Sequence, residues 1–245
     1  MMALLFVLLA LLPADPPAEA QRLFELGNGL YAEGDFPGAT AAYERARETG
    51  WTSTALELNL GNAYTESGRL GRAVLHFERA RRLDPADEAA AHNLRLVRAR
   101  LGGDASAAPP PAETAGRWLA VNVGAWPLAG IAFAGYLAVI ALLGAWAWTR
   151  VLPAWRRRAL VVLTPLALLV GAAAVLAARY DATPRAVVVT GPAALRTAPS
   201  PESAAAGSAP EGAVLVVTGR ADGWAEVRLP DGGTGWAEIG TVEEL

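Results

Sequence analysis

The sequence predicts a multidomain membrane protein: an all-α array of helical hairpins, then two transmembrane helices, then a small all-β barrel. Three observations carry this reading. Two stretches repeat each other at a spacing of 34 residues, two long runs carry no charge, and from Arg185 onward short β runs alternate with turn residues. The hydrophobic fraction of 53% and mean hydropathy of +0.27 are high for a soluble chain and call for membrane segments.

The first apolar run, Ala3 to Leu12, is too short to span a bilayer at 1.5 Å per residue and suits the core of a signal peptide over residues 1–20. Ala18-Glu19-Ala20 supplies the small-x-small cleavage pattern and Leu12-Pro13-Ala14 a second one. No basic residue precedes the run, so an uncleaved anchor and a buried N-terminal segment remain as other readings.

In the repeat, Leu26-Gly27, Ala39, Tyr43 and Ala46 recur as Leu60-Gly61, Ala73, Phe77 and Ala80, with Asn28/Asn62 and Gly34/Gly68 keeping step. Small residues at these offsets let paired helices approach closely, and the pattern resembles the tetratricopeptide repeat. Residues 20–53 and 54–87 form the two copies, and 88–101 continue as a capping helix. The second copy also has Tyr64 and Pro85, with Glu57 where the family places Trp. The first has Leu30 for the Tyr and Trp51 for the Pro. The resemblance implies a concave groove lined by the first helices, at Gln21, Phe24, Asn28, Tyr31, Ala55, Leu58, Asn62, Thr65 and Glu66. Asn28 and Asn62 can hydrogen-bond an extended partner backbone or pair between adjacent helices. The cations that hold a chain-terminal carboxylate in some such repeats are missing here. Residues 18–101 carry 12 acids against 11 Arg, which steers neither sign of partner strongly, and the Arg run from Arg79 to Arg100 reads as a solvated face.

Residues 102–116, rich in Gly, Ala and Pro, read as a tether of roughly 20 Å root-mean-square reach. Transmembrane helix 1 is expected at 123–148 and helix 2 at 159–178, within uncharged runs bounded by Arg117 and Arg150 and by Arg158 and Arg179. Between them, 149–158 is a loop with Arg150, Arg156, Arg157 and Arg158 and no acid. The positive-inside bias places it in the cytoplasm and both flanking portions outside, as export by the signal also requires.

Residues 185–245 show β runs at 186–190, 193–195, 213–218, 224–229 and 235–239, with Thr197 to Ser208 as a polar loop. The Gly223-Trp224 and Gly235-Trp236 pairs, with the Pro230-Asp231-Gly232-Gly233 turn, resemble the bacterial SH3-like family. That resemblance implies a cell-wall or peptide ligand. Trp224 and Trp236 are the candidate ligand surface, with burial in the barrel as the other reading. Eight acids against four Arg in 185–245 disfavour an anionic polymer.

Catalysis finds little support. The chain has no Lys, no Cys and two His, His76 and His92, both on repeat helices and expected at the surface. No metal-ligand spacing or phosphate loop follows a suitable element, so no cofactor or metal is expected, and without a polybasic tract neither is nucleic acid. The order of modules resembles the E components of the bacterial Bat (aerotolerance) operon. This implies an inner-membrane scaffold for protein-protein interaction, with partners that carry von Willebrand factor A domains and a MoxR-type ATPase. A cell-wall-sensing signal component, with the SH3-like domain binding peptidoglycan or peptide, is the alternative.

Overall fold

The computed structural model describes residues 17–102, 115–116, 118–120, 123–149 and 153–245. The expected signal core, most of the tether and Arg150 lie outside them.

Five helices build the repeat region: α1 (Ala18–Ala32), α2 (Phe36–Glu48), α3 (Thr54–Glu66), α4 (Leu70–Leu83) and α5 (Glu88–Arg100). Three of their starts, those of α2, α3 and α5, follow from side-chain caps. Asp35, Ser53 and Asp87 accept from the backbone N–H of Gly38, Leu56 and Ala90 at 2.9, 3.1 and 2.8 Å. Both hairpin turns place a glycine at positive φ, Gly34 at 83° and Gly68 at 74°. The following residues, Asp35 and Arg69, then bond back to Leu30 and Tyr64 at 2.9 Å each, which closes the preceding helix and starts the next.

Gly27 and Gly61 make the close approach that the repeat demands. A Cβ on Gly27 would lie 2.4 Å from the Tyr43 ring, and one on Gly61 2.5 Å from the Phe77 ring. Around these contacts Ala39, Tyr43, Ala46, Leu56, Leu60, Ala73, Phe77 and Ala80 are buried. Ala90, Leu94 and Val97 of α5 are buried as well, whereas Leu96 is exposed. Ala18 to Ala20, the expected cleavage pattern, form the first turn of α1 with Ala20 fully buried, so the helical array begins inside the span 1–20.

Two further helices, α6 (Ala125–Thr149) and α7 (Ala154–Ala182), form an antiparallel hairpin. Their contact runs over small residues. Leu128 packs near Ala174 and Ala177, Ala132 meets Gly171, and a Cβ on Gly135 would stand 3.1 Å from that of Ala167. Ala125–Ala147 and Ala154–Arg179 have mean hydropathies of 2.2 and 2.5 and are long enough to cross a membrane, with 6% of each apolar window buried. Core helices of a soluble domain would be mostly buried.

The expected loop 149–158 is shorter than its sequence suggested: Ala154 to Arg158 belong to α7. Pro153 caps that helix, accepting from the N–H groups of Arg156 and Arg157 at 3.0 and 3.3 Å, and Ala154 to Arg158 contain no Pro or Gly to break it, the proline inside the helix, Pro165, coming two turns later.

The C-terminal domain is one antiparallel sheet in the order β3-β2-β6-β5-β4-β1-β7, an SH3-like fold. Its strands are β1 (Arg185–Val188), β2 (Ala193–Arg196), β3 (Ala205–Ala209), β4 (Val214–Ala221), β5 (Trp224–Arg228), β6 (Thr234–Glu238) and β7 (Val242–Glu244). Ala186, Val188, Leu195, Leu215, Val217, Val227 and Val242 fill its core. Two strands depart from the sequence reading. β3 forms inside the expected polar loop from Ala-Ala-Gly-Ser-Ala, a stretch with no strand propensity that is held by its register against β2 (Ala193↔Ala209, Leu195↔Gly207). β7 is three residues long and is held by β1.

Candidate functional site

The expected groove residues separate into a structural set and an available set. Asn28 Oδ1 accepts from the Tyr43 hydroxyl at 2.8 Å and from Asn59 Nδ2 at 2.9 Å. Asn62 Oδ1 accepts from Asn93 Nδ2 at 2.8 Å. Both carboxamide bonds join residues 31 apart, so one inter-helix bond recurs at the repeat period, from Asn28/Asn59 to Asn62/Asn93. Of the two readings open for Asn28 and Asn62, pairing between adjacent helices is what their oxygens do. Asn59 and Asn93 escaped the sequence reading because each is visible only as the partner of an Asn two helices earlier.

The same pairing leaves groups unused. Among the described residues, Nδ2 of Asn28, Nδ2 of Asn62 and Oδ1 of Asn59 meet no protein partner. They stand around a cleft of about 90 Å³ lined by Asn28, Tyr31, Tyr43, Asn59 and Asn62. Two donors and an acceptor on residues around one cleft match the hydrogen-bonding groups of a peptide amide. Tyr31 is half-buried and its ring meets Phe36 edge-on at 5.2 Å. Burial, with the nearby Glu66 carboxylate second, pushes the Tyr31 hydroxyl pKa up.

Other groove candidates serve the fold. Phe24 packs against Tyr43 at 5.7 Å and edge-on against Trp51 at 5.4 Å. Trp51, the departure from the family's Pro, therefore packs on α1 through Phe24, which the structure leaves half-buried. Thr65 donates to the Gly61 carbonyl at 2.7 Å, and Gln21 bonds Glu25 at 3.0 Å along an exposed face. Leu58 is half-buried, and Glu66 and Ala55 are exposed.

His76 is not at the surface. It is 1% exposed and lies between two carboxylates, with Nδ1 2.7 Å from Glu57 Oε2 and Nε2 3.4 Å from Glu44 Oε1. The Tyr64 ring stacks on it at 5.1 Å, and the Tyr64 hydroxyl donates to Glu44 at 2.8 Å. Glu57, the residue in the family's Trp position, is 1% exposed. A buried acid in place of an indole thus has its explanation in His76.

Burial works against charge on Glu44, but the His76 ring, the Tyr64 hydroxyl and Arg47 outweigh it and hold its carboxyl at about 2. Burial and the Glu44 charge raise the Tyr64 hydroxyl to about 12. Since Glu44 belongs to the first hairpin and Glu57, Tyr64 and His76 to the second, the network joins the two copies. Arg98, expected on a solvated face, ties α5 to Glu78 of α4 at 2.7 Å.

On the C-terminal sheet, Trp224 and Trp236 are half-buried and point away from the core, alternating with buried Ala225, Val227, Gly235 and Ala237. The registers Trp224↔Glu238 and Glu226↔Trp236 make them diagonal neighbours on one face, and Arg196 pairs with Trp236 from β2. Neither indole belongs to the core cluster.

Among the described residues no group of three or more His, Cys, Asp or Glu is placed to hold a metal ion. What the geometry presents is a polar cleft on a helical stack and an aromatic face on a sheet.

Residues 30–97 match the tetratricopeptide repeat family, and residues 191–243 match the bacterial SH3 domain family. Both are modules of interaction, for protein partners or peptidoglycan. No curated protein matches the chain.

Proposed function

We propose that the protein is a non-enzymatic scaffold of the bacterial inner membrane that holds an extended segment of a partner protein in the cleft of its repeat array. The observation that carries this is the set of unused carboxamide groups of Asn28, Asn59 and Asn62 around that cleft, with Tyr31 in its wall. A neutral lining without cations suits main-chain amides rather than a chain-terminal carboxylate. The repeats and the SH3-like domain lie on the extracytoplasmic side, and Arg150 to Arg158 on the cytoplasmic side. The signal at the N-terminus and the charge bias of the loop both support that arrangement. The module order supports a Bat-like envelope complex, with von Willebrand factor A-domain membrane proteins and a MoxR-type ATPase as partners.

Affinity co-purification of the full chain from membranes tests this. The variant Tyr31→Ser/Glu66→Arg alters the cleft wall and its neighbouring charge and leaves the Asn28/Asn59 and Asn62/Asn93 bonds in place. It is expected to lose most of the partner recovered by wild type, and recovery at wild-type yield from a folded variant refutes the cleft assignment.

The aromatic face of the sheet supports a second reading, wall sensing. Saturable sedimentation with purified peptidoglycan that is lost in Trp236→Ala would favour it over the scaffold.

A further inference from the structure

We infer that the end of the α6–α7 hairpin bearing Trp155 and Arg156 to Arg158 binds the phosphate headgroups of anionic phospholipids. The inference rests on the reading of α6 and α7 as membrane spans. It goes beyond topology, because a bias in loop charge says which side the arginines occupy and not what neutralises them.

The chain contains no Asp or Glu between Glu113 and Asp181, and Asp181 lies in the last turn of α7, so the arginine-bearing end of the hairpin has no carboxylate of its own. Among the described residues the one interaction of these arginines beyond the backbone is the Arg156 guanidinium over the Trp155 ring, at 5.2 Å. Helix electrostatics does not account for them either, since cations in a first turn sit at the unfavourable end of the dipole.

Their placement describes the partner. Because α7 begins at Ala154, the three arginines are not on a free loop. They are fixed within one turn of the uncharged run that starts at Ala159. Successive helical residues are about 100° apart, so three in a row fan over roughly 200° of the helix circumference, while α6 covers one side. A fan of this kind meets a ring of headgroups rather than one protein pocket. Trp155 is 61% exposed and Trp146, near the same end of α6, is 46% exposed, as indoles at the headgroup level would be. Guanidinium groups take phosphate oxygens bidentately, and their aliphatic stems cover apolar surface on the way out. The opposite end of α7 carries one basic residue, Arg179, and one acidic residue, Asp181, in its sequence, so the excess of basic residues belongs to one end.

The test uses the full chain in detergent and measures retention of fluorescent phosphatidylglycerol against phosphatidylcholine. Each guanidinium near an anionic surface contributes about a fivefold preference, so wild type is expected to favour phosphatidylglycerol at least tenfold, less so in high salt. R156Q/R157Q/R158Q is expected to bring the preference close to unity, and R156K/R157K/R158K to keep most of it. Equal retention of both lipids by wild type overturns the inference, as does an undiminished preference in the Gln variant. Displacement of the lipid by millimolar inorganic phosphate also overturns it, by making the site one for free phosphate. Carbonate extraction of membranes is read in parallel. A wild-type chain that resists extraction but shows no lipid preference sinks this inference alone, whereas a chain that carbonate releases sinks the membrane reading beneath it.

Discussion

Substituting Gly61 by Ala should destabilise the repeat array, although alanine is the better helix former. A Cβ at position 61 would stand 2.5, 2.6 and 2.8 Å from three atoms of the Phe77 ring, well inside the roughly 3.5 Å at which carbon atoms attract. Phe77 is 1% exposed and cannot swing into solvent, so the ring and the helix beneath it must shift. Overpacking of this kind costs about 1–3 kcal/mol, and the severity of the clash points to the upper end. The change gains about 1 kcal/mol in helix propensity, which leaves a net loss of about 2 kcal/mol.

Gly29→Ala is the internal control, because that glycine is also helical and a Cβ there meets nothing within 4 Å. It should gain up to about 1 kcal/mol. At about 4 °C per kcal/mol for a domain of this size, Gly61→Ala lowers the thermal midpoint of the array by roughly 8 °C and Gly29→Ala raises it by roughly 4 °C. Thermal unfolding of the detergent-solubilised chain, followed by helical circular dichroism, reads both. A Gly61→Ala midpoint at or above wild type would refute the close-packing argument.

The buried network makes two more predictions. His76→Leu strands the Glu57 carboxylate and should cost about 3 kcal/mol, while Glu57→Leu/His76→Leu recovers most of that loss in the same melting assay; a double variant no better than the single contradicts the pairing. Glu44 sets an acid limit. Its carboxyl is held at about 2 against an ordinary 4.5, so its contribution of up to about 3 kcal/mol is complete above pH 4.5 and is lost as pH falls toward 2. Melting midpoints of wild type measured from pH 6 to pH 2 should therefore fall more steeply than those of Glu44→Gln, and parallel curves would remove Glu44 from the linkage.

How much was legible in the sequence depended on whether a feature repeats or is singular. The helical hairpins were readable because Gly27/Gly61, Ala39/Ala73 and Tyr43/Phe77 recur at one spacing, and close helix packing leaves few other residue types usable there. The uncharged runs were readable for a similar reason, since lipid tolerates no charge along a span. β3 was not readable because Ala205 to Ala209 take strand geometry from a neighbouring strand and not from their own propensity. His76 was misplaced because its burial depends on Glu57 and Glu44, which sit on two other helices.

The candidate cleft divides in the same way. From sequence alone, the 3.6-residue period puts Asn28 and Tyr31 on one face of a first helix, and the 34-residue repeat puts Asn62 at the position equivalent to Asn28. Only the tertiary structure decided which of their atoms remain available. The Asn28 and Asn62 oxygens are taken by Asn59 and Asn93, and the Phe24 ring packs against Tyr43 and Trp51. The physical reason is that a helical period orients a side chain toward a face, whereas its hydrogen-bonding capacity is finite and is consumed by whichever groups the neighbouring helix brings within 3 Å.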